Sequence, residues 1–202
     1  LAILPVQRAA SSSTTTFTDP TKAGAVTAAV TGVGTLATGI GNVPDIWPQY
    51  DDYDAPNNAT LLGTPQLVWD GFSFPAGQTL YFSQAFSISS LEDHVVVSTV
   101  FADNAHILFI EEVDPTGTMV VQSITPPAGL NDGIMNPLAG VTTDVSAPYN
   151  WKTLRQYSKI FTPMSTDNFI VLTVQAINYN PNGPVNPAGV AFVADFYRSK
   201  LL

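Results

Sequence analysis

Asn168-Phe-Ile-Val-Leu-Thr-Val-Gln-Ala-Ile-Asn178 contains no charge, glycine or proline. Ile170, Leu172, Val174 and Ala176 share one parity, and Phe169, Val171 and Thr173 share the other. Side chains of a strand alternate between its two faces, so a period of two marks a strand. The same alternation returns in Leu80, Phe82, Phe86 and Ile88, with Gln84 as its one polar member. Working outward, strand-like runs follow at Gln66–Trp69, Gln78–Ile88, His94–Phe101, Ala105–Glu111, Thr118–Ile124, Ser158–Phe161 and Gly189–Tyr197. They are short, β-branched and aromatic, and Pro, Gly, Asn and Asp punctuate them. Eight such strands with no convincing helix predict an all-β, two-sheet sandwich over residues 61–202.

Residues 1–60 read differently, as an extended N-terminal arm and linker. Leu1-Ala-Ile-Leu-Pro-Val6 is a short apolar strand, and Ser11–Thr16 is a Ser/Thr run with the composition of a linker. Over Ala23–Gly41 the apolar residues Val26, Val30, Val33, Leu36 and Ile40 recur at nearly helical spacing. The Thr, Val and Gly content opposes a helix, and extended structure is expected. Val43–Asn58 reads as loop.

Composition narrows the function. Charged residues make up 11% of the chain and the net charge is −9. Residues 23–151 hold thirteen acids and no Lys or Arg. A phosphate backbone needs cationic partners, so nucleic acid is not an expected partner. Cysteine is absent, which excludes disulfides and thiolate chemistry. No run has the character of a membrane span. A surface of Thr, Ser, Asn, Gly and Pro suits an extracellular or cell-surface protein. Beginning at Leu1, the chain is expected to be a processed form.

Four groups of residues carry a resemblance. Gln66-Leu-Val-Trp69 is followed by Tyr81-Phe-Ser-Gln-Ala-Phe86. Ala102-Asp-Asn-Ala-His-Ile-Leu-Phe109 comes next, then the segment from Trp151 to Tyr157. Val174-Gln-Ala-Ile-Asn178 and Asn186-Pro-Ala-Gly189 close the order. This order resembles the galactose-binding-like domain of the rhamnosidase accessory type, a jelly-roll β-sandwich, over about residues 66–197. The chain departs from that family at Glu111-Glu-Val-Asp-Pro-Thr-Gly117, where a Val-Asn-Gly type of turn is usual. The resemblance implies a jelly roll whose role is either sugar binding or purely structural. It also implies that a structural calcium ion is a cofactor to consider.

The candidate residues follow from these readings. Asp51, Asp52 and Asp54 offer clustered oxygens of the kind Ca²⁺ takes, and Glu111, Glu112 and Asp114 form a second acidic group. For a glycan, Asn104 and His106 offer a polar strand edge. Trp151 and Tyr179 offer rings, and Asn182 lies in a rim loop at Asn180–Pro184. A surface or satisfied strand histidine is the plainer reading of His106. Asn58-Ala-Thr60 is an N-glycosylation sequon. No nucleophile elbow or phosphate loop occurs, and no carboxylate pair is singled out, so an enzyme is not expected. The apolar Leu1, Ile3, Leu4 and Val6 can add a strand to a sheet edge, in their own subunit or in another copy. The leading expectation is a structural subunit of an extracellular filament, a homopolymer joined by strand exchange through residues 1–10. The alternative is a carbohydrate-binding module or adhesin.

Overall fold

The computed structural model describes residues 2–42, 63–135, 154–180 and 186–200. Its strands are β1 (Ala2–Ala10), β2 (Phe17–Asp19), β3 (Thr38–Asn42), β4 (Gln66–Trp69), β5 (Thr79–Ser87) and β6 (His94–Asp103). They continue as β7 (Ala105–Val113), β8 (Val120–Ser123), β9 (Leu130–Asp132), β10 (Arg155–Phe161), β11 (Phe169–Ile177) and β12 (Gly189–Lys200). One helix, α1 (Lys22–Thr31), lies between β2 and β3.

Two antiparallel sheets face each other. The first runs β10-β6-β12-β4-β3, with β1 on the same edge of β12 as β4. The second runs β2-β5-β11-β7-β8, with β9 also on the outer edge of β7. Four pairings nest inside one another along the chain: β1 with β12, β5 with β11, β6 with β10, and β7 with β8. That is the order of a long hairpin rolled into a jelly roll. The all-β sandwich expected from the alternating runs is the observed fold.

The period of two explains the core. On β5, β6, β7, β11 and β12 the even-numbered apolar residues face inward, among them Phe82, Val100, Leu108, Leu172 and Phe192, all fully buried. Trp69 meets Phe82 at 5.4 Å between ring centroids, and Phe86 meets Phe196 at 4.1 Å. Each such side chain contributes about 1.5–3 kcal/mol by leaving water.

The N-terminal residues are built into this framework. β1 and β3 lie in the first sheet and β2 in the second, while the expected domain boundary near residue 60 falls outside the described residues. β1 pairs in this chain with β12 from Ala2↔Lys200 to Ala10↔Val193, with a bulge between Pro5 and Gln7. The Ser/Thr run is not a linker but the corner that carries the chain from one sheet to the other. Ser11 is fully buried against β12: its N–H donates to Phe192 O (2.9 Å) and its hydroxyl accepts from Phe192 N (3.1 Å). The same hydroxyl donates to Gln66 O (2.7 Å). Gln84 Nε2 donates to Ala10 O (2.7 Å) and Thr16 Oγ1 (2.9 Å) across the corner. Short hydroxyl side chains satisfy backbone groups locally, which suits a corner as well as it suits a linker.

The extended structure expected at the start of Ala23–Gly41 is also corrected: Lys22–Thr31 is helical. Thr21 caps the N-terminus by accepting from Gly24 N (3.1 Å), and Gly32 ends the helix in the left-handed region at φ 70°. Val26 packs on Val113 and Val171 of the second sheet. Caps and packing together override the weak helix propensity of this composition.

Candidate functional site

Asn104, His106 and Tyr179 come together at one end of the sandwich, and all three are buried. Asn104 follows the end of β6, and its Oδ1 accepts from Tyr179 N (2.6 Å) while its Nδ2 donates to Asp103 Oδ1 (2.7 Å). The Tyr179 hydroxyl accepts from Ile134 N (2.9 Å), and its ring packs with Ala105, Ile177 and Met135. His106 is 1% exposed. Its Nε2 lies 3.1 Å from the Tyr157 hydroxyl, and the two rings meet edge to face. The residues read from the sequence as a glycan edge are thus buried, Asn104 and His106 to 1% and Tyr179 to 2% exposure. Trp151, Asn182, the acidic Asp51, Asp52 and Asp54, and the sequon at Asn58 lie outside the described residues.

The His106–Tyr157 contact crosses between the sheets, from β7 to β10. Beside it, Arg155 of β10 pairs with Asp132 of β9 at 2.9 Å. This polar seam closes one side of the sandwich. Burial pushes the His106 imidazole down to about 4, against the pull of the Asp132 carboxylate, and Arg155 adds to the depression. Burial first, and then Asp132, raises the Tyr157 phenol to about 12, while Arg155 opposes the rise. At neutral pH the pair is therefore a neutral imidazole and a protonated phenol. His106 Nδ1 is buried and has no hydrogen-bond partner among the described residues. The arrangement can hold the sheets together, and it presents no activated nucleophile.

The seam makes stability depend on pH. His106 binds a proton near 6.5 when unfolded and only near 4 when folded, so the unfolded chain takes up more protons between these values. Its contribution is fully present above about pH 6.5 and is lost as pH falls toward 4. The loss is about 3 kcal/mol at most. Asp132, Arg155 and Tyr157 face His106 and are part of what it titrates against. Melting curves between pH 7.5 and 4.5 are expected to show a steeper decline for the native chain than for His106→Gln. Equal slopes would rule out His106 as the source.

The acidic residues are engaged in other ways. Asp114 caps the β7–β8 turn, accepting from Thr118 N (2.9 Å) and Met119 N (2.8 Å). Glu112 is fully buried and holds the loop before β11, accepting from Met164 N (2.9 Å), Ser165 N (3.1 Å) and Asn168 Nδ2 (2.7 Å). Glu111, on the opposite face of β7, accepts from Lys22 Nζ (2.6 Å). Among the described residues no group of three or more His, Asp or Glu is placed to hold a metal ion. No helix among them is long and apolar enough to cross a membrane.

Of the residues expected to exchange as a strand, Leu4 and Val6 are half-buried in β1, and Val6 packs on the core. Leu1 and the side chain of Ile3 lie outside the described residues. Sequence reasoning missed the ion pair that anchors this strand. Arg8 Nε donates to Asp195 Oδ1 (2.6 Å) and Arg8 Nη2 to Asp195 Oδ2 (3.0 Å), with both side chains buried.

Comparison with known proteins adds little to this geometry. No family model matches the chain, and no curated protein matches it. Among solved structures, one that matches is an isomalto-dextranase of Arthrobacter globiformis T6 complexed with panose. The match has a TM-score of 0.32 and 8% identity, and covers 66% of this chain and 19% of that one. The chain thus spans about a fifth of the length of that structure.

Proposed function

We propose that this protein is a non-enzymatic structural subunit of an extracellular filament or surface assembly, and that its copies are joined by exchange of the N-terminal strand. The observation that carries this reading is the seat of β1. β1 occupies the edge of β12 in antiparallel register and is held there by the buried bidentate ion pair of Arg8 with Asp195. A second copy's β1 can fill the same seat with the same contacts, because an exchanged element reproduces the closed arrangement. A lone subunit then closes on its own strand, and an assembled subunit receives its neighbour's. Passed from each subunit to the next without closing, the contact generates a fibre. The mostly uncharged surface supports close packing of such copies.

Deleting residues 1–10 tests the reading. The truncated chain is expected to stay dispersed under electron microscopy, in conditions where the full chain forms regular filaments. A synthetic peptide of residues 1–10 is expected to bind the truncated chain. Filaments from the truncated chain, equal to those of the full chain, would refute strand exchange.

A further inference from the structure

Exchange of β1 leaves most contacts of the fold in place. The ladder of β1 with β12, the Arg8–Asp195 pair and the bonds of Ser11 to Phe192 and Gln66 all join the strand to the framework. A neighbour's strand remakes each of them. A contact present in both arrangements cannot move the balance between them. What differs is the segment that turns back in a closed subunit and runs across to the next copy in an assembly.

That segment is the corner between β1 and β2, and Ser12 is the centre of its bonds. Thr16 N donates to Ser12 O (3.1 Å), and Ser12 N donates to Thr16 Oγ1 (3.0 Å). The Ser12 hydroxyl accepts from Thr14 N (3.3 Å) and Thr15 N (3.2 Å). It also lies 2.7 Å from Thr15 Oγ1 and 3.1 Å from Thr14 Oγ1. All of these bonds join residues two to four positions apart, so they exist only while the chain turns. Gln84 marks the limits of the corner. Its Nε2 donates to Ala10 O on one shoulder and to Thr16 Oγ1 on the other. Both shoulders are therefore held to β5 whichever copy supplies Ala10. Fully extended, residues 12–16 reach at most about 18 Å, so a copy that receives the strand must touch the copy that gives it.

We infer that the Ser12-centred corner is the switch that keeps β1 in its own subunit, and that loosening it releases the strand to a neighbour. The switch rests on the exchange of β1 proposed above, and it names what controls that exchange. Ser12 stabilises the closed form alone, whereas the adjacent Ser11 serves both forms equally.

The two serines give the test, read as the protein concentration at which the full chain first forms filaments. Ser12→Ala removes the central hydroxyl, and that threshold is expected to fall about fivefold or more. Ser11→Ala breaks a buried contact common to both forms. It is expected to lower the melting temperature and to leave the threshold within about twofold of the native value. Melting curves establish that both variants are folded under the conditions of assembly. Native filaments with an unchanged or raised threshold in Ser12→Ala overturn the switch and leave strand exchange standing. An equal fall in Ser11→Ala also overturns it, because general loosening is then the cause. If neither the native chain nor Ser12→Ala forms filaments at any concentration, strand exchange itself fails and the switch with it.

Discussion

Arg8→Ala is expected to lower the stability of the protein by about 3–5 kcal/mol, the cost of breaking a buried ion pair by removing one partner. Arg8 and Asp195 are buried to 7% and 5% side-chain exposure, and they meet through two bonds of 2.6 and 3.0 Å. Two parallel N–H···O bonds to one carboxylate are the strong geometry for such a pair. Alanine leaves the Asp195 carboxylate buried in the first sheet without the guanidinium. It also removes the aliphatic stem that covers the strand. The double variant Arg8→Met with Asp195→Leu is expected to recover part of the loss, because an apolar pair of similar volume avoids the buried charge. Denaturant unfolding of the single and double variants measures both effects. An Arg8→Ala protein within about 1 kcal/mol of the native chain would place this pair in the class of weak surface bridges. Under the proposed assembly the same substitution weakens the seat whichever copy supplies the strand. Filament yield should then fall with stability in the single variant and return with it in the double.

What the sequence made legible was whatever repeats at short range. Eight of the nine strands from β4 onward show in their alternation, their β-branched and aromatic content and the turn residues between them. β2 and β9 have three residues each, too few to display a period. α1 was hidden because Thr, Val and Gly are weak helix formers. Its stability comes from the Thr21 and Gly32 caps and from Val26 on the second sheet, and only the caps are local. The candidate site shows the same division. His106 shares the parity of Leu108 and Ile110 on β7, both of which face the core. That parity pointed His106 inward, and its polar character drew the reading to the surface instead. The partners that make it a seam, Asp132 and Tyr157, arrive from β9 and β10, and no spacing along the chain announces them. Arg8 and Asp195 are 187 positions apart and meet only because β1 and β12 close the roll.

The adjacent carboxylates of β7 should respond unequally to one chemical change, since the strand turns them to opposite faces. Glu112→Ala is expected to cost about 4 kcal/mol, because several buried donors lose their acceptor together. These are the N–H groups of Met164 and Ser165 and the Asn168 amide, which tie the loop before β11 to the sandwich. For a chain of this length the loss corresponds to a fall of about 10 °C in melting temperature. Glu112→Gln keeps one acceptor oxygen but turns an N–H toward donors, so a loss of about 2 kcal/mol is expected. Glu111→Gln, by contrast, breaks only the pairing with Lys22, whose side chain is 28% exposed and can find water. That change should cost no more than about 1 kcal/mol. Hydrogen exchange separates the mechanisms further. Glu112→Gln should speed exchange at Met164 and Ser165 well beyond the global change, and Glu111→Gln should leave those amides as protected as before. Equal stability losses at the two positions, or unchanged protection of the loop amides in Glu112→Gln, would mean that the loop is held by its own turns and that Glu112 merely fills space.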